Sequence, residues 1–129
     1  MTTGNDFVDL CHAHHDEAVS FVSVSLTDGE LLQEMAGLFK VLSEPTRLKI
    51  VNALLLSELC VGDLVSIMGI PQPSVSHHLR ELRLARLVKQ RKCGKETYYS
   101  LNDYHIQLLF DLCNSVAWLL QRSKSSWMW

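Results

Sequence analysis

No apolar run in this 129-residue chain approaches the about 18 residues needed to cross a bilayer. The longest candidate, Ile50 to Leu56, is interrupted by Asn52 and followed by Ser57 and Glu58. No basic stretch leads into an apolar one at the N-terminus, so a secretory signal is not expected and a cytoplasmic location is. There is no His-Glu-x-x-His helix and no carboxylate placed as a general base beside paired histidines. Metal-dependent hydrolysis is therefore not expected, and the core is too small for a substrate cleft. Internal repeats and low-complexity segments are absent too. The four cysteines, Cys11, Cys60, Cys93 and Cys113, lie too far apart to suggest a disulfide framework. In a cytosolic chain such thiols serve as ligands, as reactive groups or as small buried side chains.

Basic residues are also missing from the first 34 positions, where seven acids stand: Asp6, Asp9, Asp16, Glu17, Asp28, Glu30 and Glu34. The opposite holds over residues 74–95, where Arg80, Arg83, Arg86, Lys89, Arg91, Lys92 and Lys95 face the single acid Glu81. The formal net charge of −2 argues against indiscriminate nucleic-acid binding, but this one segment is a local footprint for a polyanion. With 47% hydrophobic residues the chain can build one compact domain. We expect that domain over residues 28–125, preceded by a flexible arm over residues 1–27 with at most a short ordered stretch around Phe21 to Leu26. The arm carries the cluster Cys11-His12-Ala13-His14-His15, one thiol and three imidazoles within five residues. Histidines have no packing duty in a disordered segment, so this cluster is a candidate metal-ligand set.

Helical spacing of Leu31, Leu32, Met35, Leu38, Phe39 and Leu42 predicts a helix over about 28–42, started by Thr27/Asp28 with Glu30 in its first turn. Ser43-Glu44-Pro45 breaks it and opens a second helix whose inner stripe is Leu48, Ile50, Val51, Leu54 and Leu55. A short helix from Val61 to Met68 follows, then the tight connection Gly69-Ile70-Pro71-Gln72, then a helix from Pro73 to Ala85. In the last of these Val75, Leu79 and Leu82 are spaced to pack inward, which leaves Ser74, Ser76, His77, Arg80 and Arg83 outside. A short helix, a glycine-containing turn and a helix with a basic outer face form a helix-turn-helix pattern. Leu87 to Arg91 and Thr97 to Leu101 then flank the polar loop Lys92-Cys93-Gly94-Lys95-Glu96, which predicts a β-hairpin, or wing. The fold class expected is mainly α with a small β-hairpin: a winged helix-turn-helix, dimeric. A final helix, capped by Asn102 or Asp103 and running to about Arg122, is apolar over more than one face, and the dimer interface is expected there and on the first helix.

The separated runs Leu42-Ser43-Glu44-Pro45-Thr46-Arg47-Leu48, Ser57 to Leu64, Ser74 to Leu82, Leu87-Val88 and Gly94 to Leu101 together resemble the ArsR/SmtB family of metal-responsive repressors, over about residues 30–122. The resemblance implies a homodimer that sits on an inverted-repeat operator without metal and leaves it when metal binds. The run Glu58-Leu59-Cys60-Val61-Gly62-Asp63-Leu64 is similar to the zinc-, cadmium- and lead-sensing branch. Carried over by position, Cys60 and Asp63 are metal ligands, joined by Cys11 and one or more of His12, His14 and His15 from the arm of the other subunit. Zn²⁺, Cd²⁺ or Pb²⁺ is the effector expected of such thiolate and imidazole donors. A second family site on the last helix is represented here by Asp103 and His105, but its other half falls on Val116 and Leu119, which cannot bind a metal.

For DNA, Ser74, Ser76, His77, Arg80 and Arg83 are the expected contacts on the recognition helix, with Arg91, Lys92 and Lys95 on the wing. Two other readings stay open from sequence alone. One keeps the fold but makes it a thiol-redox switch through Cys11 and Cys60. The other is a metal-buffering protein that does not bind DNA.

Overall fold

The computed structural model describes the backbone of residues 3–126 and the side chains of residues 14–124. Among the described residues, six helices and three strands follow in the order α1 (Thr3–Ser25), α2 (Gly29–Leu42), α3 (Pro45–Leu56), β1 (Leu59–Cys60), α4 (Val61–Met68), α5 (Gln72–Leu84), β2 (Val88–Cys93), β3 (Glu96–Leu101) and α6 (Tyr104–Ser126). The chain divides into two compact units after Ala36, inside α2.

The first unit departs from the flexible arm expected of residues 1–27, because its backbone is helical from Thr3 to Ser25. No proline interrupts that segment, and its only glycine, Gly4, stands at the start where it breaks nothing. Acidic, polar composition argued for disorder, but composition alone does not prevent a proline-free run from closing its own backbone hydrogen bonds.

The second unit holds the core. Ile50, Val51 and Leu54 of α3, Leu64 of α4, Val75, Leu79 and Leu82 of α5, Leu87, Val88 and Ile106 are all buried. The α5 stripe is the one that helical spacing predicts, whereas in α3 Leu48, expected inside, is 39% exposed and Leu55 is only partly buried. Each fully buried aliphatic side chain contributes roughly 1.5–3 kcal/mol of transfer free energy. Pro45 occupies the first turn of α3, where its missing N–H costs nothing, and the Glu44 carboxylate accepts from Thr46 N at 3.1 Å to cap the helix.

The sheet is three-stranded and antiparallel, in the order β1-β3-β2. β2 and β3 form the wing, with Cys93 opposite Glu96 across the two-residue turn Gly94-Lys95. Gly94 takes φ +63°, the positive value that a tight hairpin requires at its first turn position. Toward the tip, β2 thus runs two residues and β3 one residue further than the loop 92–96 expected from sequence allows. The third strand, β1, was not anticipated. At two residues it carries no alternation to read, and it exists only because Leu59 and Cys60 pair with Tyr99 and Tyr98 of β3.

Candidate metal and nucleic-acid sites

α4, the turn and α5 build the helix-turn-helix. Gly69 ends α4 in the left-handed conformation at φ 67°, its N–H returning to Val65 O at 2.9 Å. Pro71 then starts α5, its carbonyl accepting from Ser74 N and Val75 N at 3.0 and 3.2 Å. With Val75, Leu79 and Leu82 sealed into the core, Ser74, Ser76, His77, Arg80 and Arg83 all stand exposed on the opposite side, as their spacing requires. Lys92 on β2 and Lys95 in the turn are exposed at the wing tip.

Arg91 differs from these. Its Nη2 donates to Glu58 Oε1 and its Nε to Glu58 Oε2 at 3.4 Å, while its guanidinium carbon sits 5.4 Å from the centre of the Tyr98 ring. The side chain assigned to DNA from its charge is therefore already held by a carboxylate within its own subunit. His78 is half-buried and accepts at Nδ1 from Arg47 Nε at 3.1 Å. Neither pairing leaves a trace in sequence, because the partners lie 33 and 31 residues apart.

Cys60 is the N-cap of α4, with extended backbone (φ −89°, ψ 171°). Cys60 and Asp63 cap each other. The Asp63 N–H faces the Cys60 sulfur, and the Asp63 carboxylate accepts from Cys60 N at 3.1 Å. The Asp63 N–H by itself would lower the thiol pKa. It is outweighed by the Asp63 carboxylate, by burial and by the charge of Glu96, so the thiol titrates above its ordinary value. Asp63, hydrogen-bonded by Cys60, is held below the usual carboxylate range. Cys60 is 9% exposed and Asp63 is exposed. A side chain at Gly62 would place its Cβ 3.8 Å from Cys60 Sγ, so the glycine keeps space open beside the sulfur. One soft and one hard donor, held together at the start of α4, fit half of a thiophilic metal site.

The other half is not assembled among the described residues, where no three His, Cys, Asp or Glu side chains converge. His14 and His15 are exposed on α1, and the side chains of Cys11 and His12 lie outside the described residues. Asp103 and His105 pair with each other at the start of α6: Asp103 Oδ1 accepts from His105 N at 2.8 Å and lies against His105 Nδ1. That backbone bond, before the ring contact, lowers the Asp103 pKa. The pair caps the helix, and Val116 and Leu119 are exposed apolar residues further along α6. Cys93 and Cys113 are exposed free thiols.

Residues 44–90 match the family described as bacterial regulatory protein, arsR family. The chain is 41% identical over 108 residues to a transcriptional repressor SmtB homolog of Synechocystis, covering 82% of each protein. It is 37% identical over 121 residues to a cadmium resistance transcriptional regulatory protein CadC homolog of Staphylococcus aureus, covering 92% of this chain and 96% of that one. Among solved structures, a homodimeric winged helix-turn-helix DNA-binding domain from Mycobacterium bovis superposes with a TM-score of 0.65 at 28% identity, over 72% of this chain and 88% of that one.

Proposed function

This chain belongs to the ArsR family of bacterial regulatory proteins, in the branch of SmtB and CadC, and from that premise we propose that it is a metal-responsive transcriptional repressor. It binds an inverted-repeat operator as a homodimer while metal-free, and lets go when Zn²⁺, Cd²⁺ or Pb²⁺ binds, derepressing genes for metal export or sequestration. It works in the cytoplasm, and no described helix is long and apolar enough to cross a membrane. It is a regulator and not an enzyme.

The observation that carries this reading is the position of Cys60. The thiol caps α4, and α4 ends eight residues later in the turn that launches the recognition helix α5. Whatever pulls on the N-terminus of α4 therefore acts on the first helix of the DNA-binding motif. Cys60 and Asp63 provide the half of the metal site that lies in the DNA-binding unit, and Cys11 with His12, His14 or His15 of the partner's arm provides the rest. These donors would hold the ion together, and the Cys60 thiol would give up its proton to become a ligand. Asp63 accepts from Cys60 N through Oδ2, so an ion taken by this carboxylate would pull directly on the cap of α4. The exposed faces of Ser74, Ser76, His77, Arg80 and Arg83, with Lys92 and Lys95, are the DNA surface. Leu112, Trp118 and Leu119, all more than half exposed on α6, supply an apolar face for the second subunit. Asp103 and His105 are assigned to capping rather than to a second metal site.

A thiol-redox switch needs a reactive thiolate, and the raised pKa of the buried Cys60 works against one. A metal buffer without DNA binding would have no use for the basic face of α5 and the wing tip. The deciding experiment titrates Zn²⁺, Cd²⁺, Pb²⁺ and Cu⁺ into operator complexes of the parent protein and of Cys60→Ser. Release by metal from the parent and not from the variant is expected. Equal metal affinity of free and operator-bound parent protein would refute the coupling, since linkage makes the two effects reciprocal.

A further inference from the structure

The Glu58–Arg91 pair stands between the two surfaces that the repressor must connect. Cys60 of β1 lies opposite Tyr98 of β3, and Tyr98 lies opposite Arg91 of β2, so one cross-strand row joins the capping thiol to the wing. Residues in register across neighbouring strands share a face of the sheet, and so do residues two apart on one strand. Glu58, two before Cys60, closes that row from the other side by gripping the Arg91 guanidinium with both carboxylate oxygens. Arg91 also lies over the Tyr98 ring. Beyond Arg91 the strand continues only to Cys93 before the tip, Gly94-Lys95. A fork, a ring and two backbone ladders thus connect β1 to the wing.

Stability does not account for this pair. Its side chains are 56% and 37% exposed, and ion pairs in that setting contribute little to folding. Geometry does: a bidentate guanidinium–carboxylate contact fixes direction as well as distance.

We propose that Glu58 and Arg91 are positioning residues that carry the state of Cys60 to the wing, so that metal binding withdraws Lys92 and Lys95 from the operator backbone. The proposal rests on the reading of Cys60 as a metal ligand. It assigns Arg91 an internal task in place of the phosphate contact its charge suggested.

The test uses the full chain with an operator duplex and Cd²⁺ as the probe. Operator affinity is measured by anisotropy with and without saturating Cd²⁺, and Cd²⁺ affinity is read directly from thiolate-to-metal absorption. Coupling between sites is commonly ~5–150-fold, and both Glu58→Gln and Arg91→Lys are expected to bring it to within about twofold of none. Metal-free operator affinity, Cd²⁺ affinity and the melting temperature are expected to stay near wild type, so that coupling alone is lost. Unchanged coupling in both variants overturns the proposal. So does tighter operator binding by Glu58→Gln in both metal states alike, which would mean that Glu58 only masks a DNA-contacting arginine. Loss of coupling that follows a loss of Cd²⁺ affinity would place Glu58 in the metal site and also overturns it. A wild-type protein that binds Cd²⁺ yet keeps its operator affinity sinks the parent reading and this one with it, whereas intact wild-type coupling with unaffected variants sinks only the clamp.

Discussion

Arg47 on α3 donates from Nε to Nδ1 of His78 on the recognition helix at 3.1 Å, and its Nη1 reaches the Val41 carbonyl at 3.3 Å. One guanidinium therefore ties the end of α2 and the face of α5 to α3. The bond requires His78 to be the neutral acceptor.

That requirement makes the tie sensitive to acid. Burial, then the Arg47 charge, lowers the His78 pKa from 6.5, with His77 adding to the effect and Glu44 and Glu81 opposing it. A histidine whose folded pKa is depressed contributes stability that is complete above its unfolded pKa and is lost as pH falls toward the folded value. Unfolding free energy of the wild type should decline below about pH 6.5. His78→Gln keeps an acceptor without a titrating group and should flatten that decline. Superimposable urea-denaturation profiles from pH 8 to pH 5 would count against the assignment.

Cys60→Ser separates folding from sensing. Serine is a favoured N-cap and can take the Asp63 N–H as the thiol does, so the variant should melt at or slightly above the wild-type temperature. It should nevertheless bind Cd²⁺ far more weakly, because the soft donor is gone. A variant that unfolds, or that retains full Cd²⁺ affinity, contradicts the site.

Arg80 and Lys95 should fail differently. Arg80→Ala is expected to cost ~1–3 kcal/mol of operator binding and to relax preference at a single base pair. Lys95→Ala should weaken all duplexes alike and reduce the slope of log affinity against log salt by about one. Binding measured on operator and scrambled duplexes over a range of salt distinguishes them, and a shared pattern would show that both contact only phosphate.

Leu112→Glu places a carboxylate on the apolar face of α6, where Leu112 is 66% exposed in the single chain. Burying that charge against a second copy costs several kcal/mol, so the dimer dissociation constant should rise by about a hundredfold or more. Operator affinity should fall with it, while the helical signal of the chain persists. Sedimentation equilibrium of the wild type and variant reads this, and an unchanged dimer would move the interface elsewhere.

Within α5, Leu82 is fully buried and Leu84 is 66% exposed. Leu82→Ala should cost ~2–5 kcal/mol of stability. Leu84→Ala should change it by no more than about 0.5 kcal/mol. Chemical denaturation of the two variants checks the inward face of the recognition helix.

The sequence alone was enough for the inward face of the recognition helix and for the turns that bound it, though not for the helix over Thr3–Ser25. The spacing of Val75, Leu79 and Leu82 predicts which face of α5 is inside, and therefore that Arg80 and Arg83 are outside. Pro45 and Gly69 mark helix ends, and Gly94 marks the wing turn, because backbone sterics act within a few residues. What tertiary structure decided were the partnerships of side chains far apart in the chain. β1 has no strand signal of its own and forms only against β3. Arg91 reads as a DNA contact from its charge, and only folding brings Glu58 to it. His78 is one more polar residue in a basic helix until Arg47 arrives from α3. Periodicity and turn chemistry are local energies summed along the chain. The choice of partner for an arginine or a two-residue strand is set by which segments the hydrophobic core has already brought side by side.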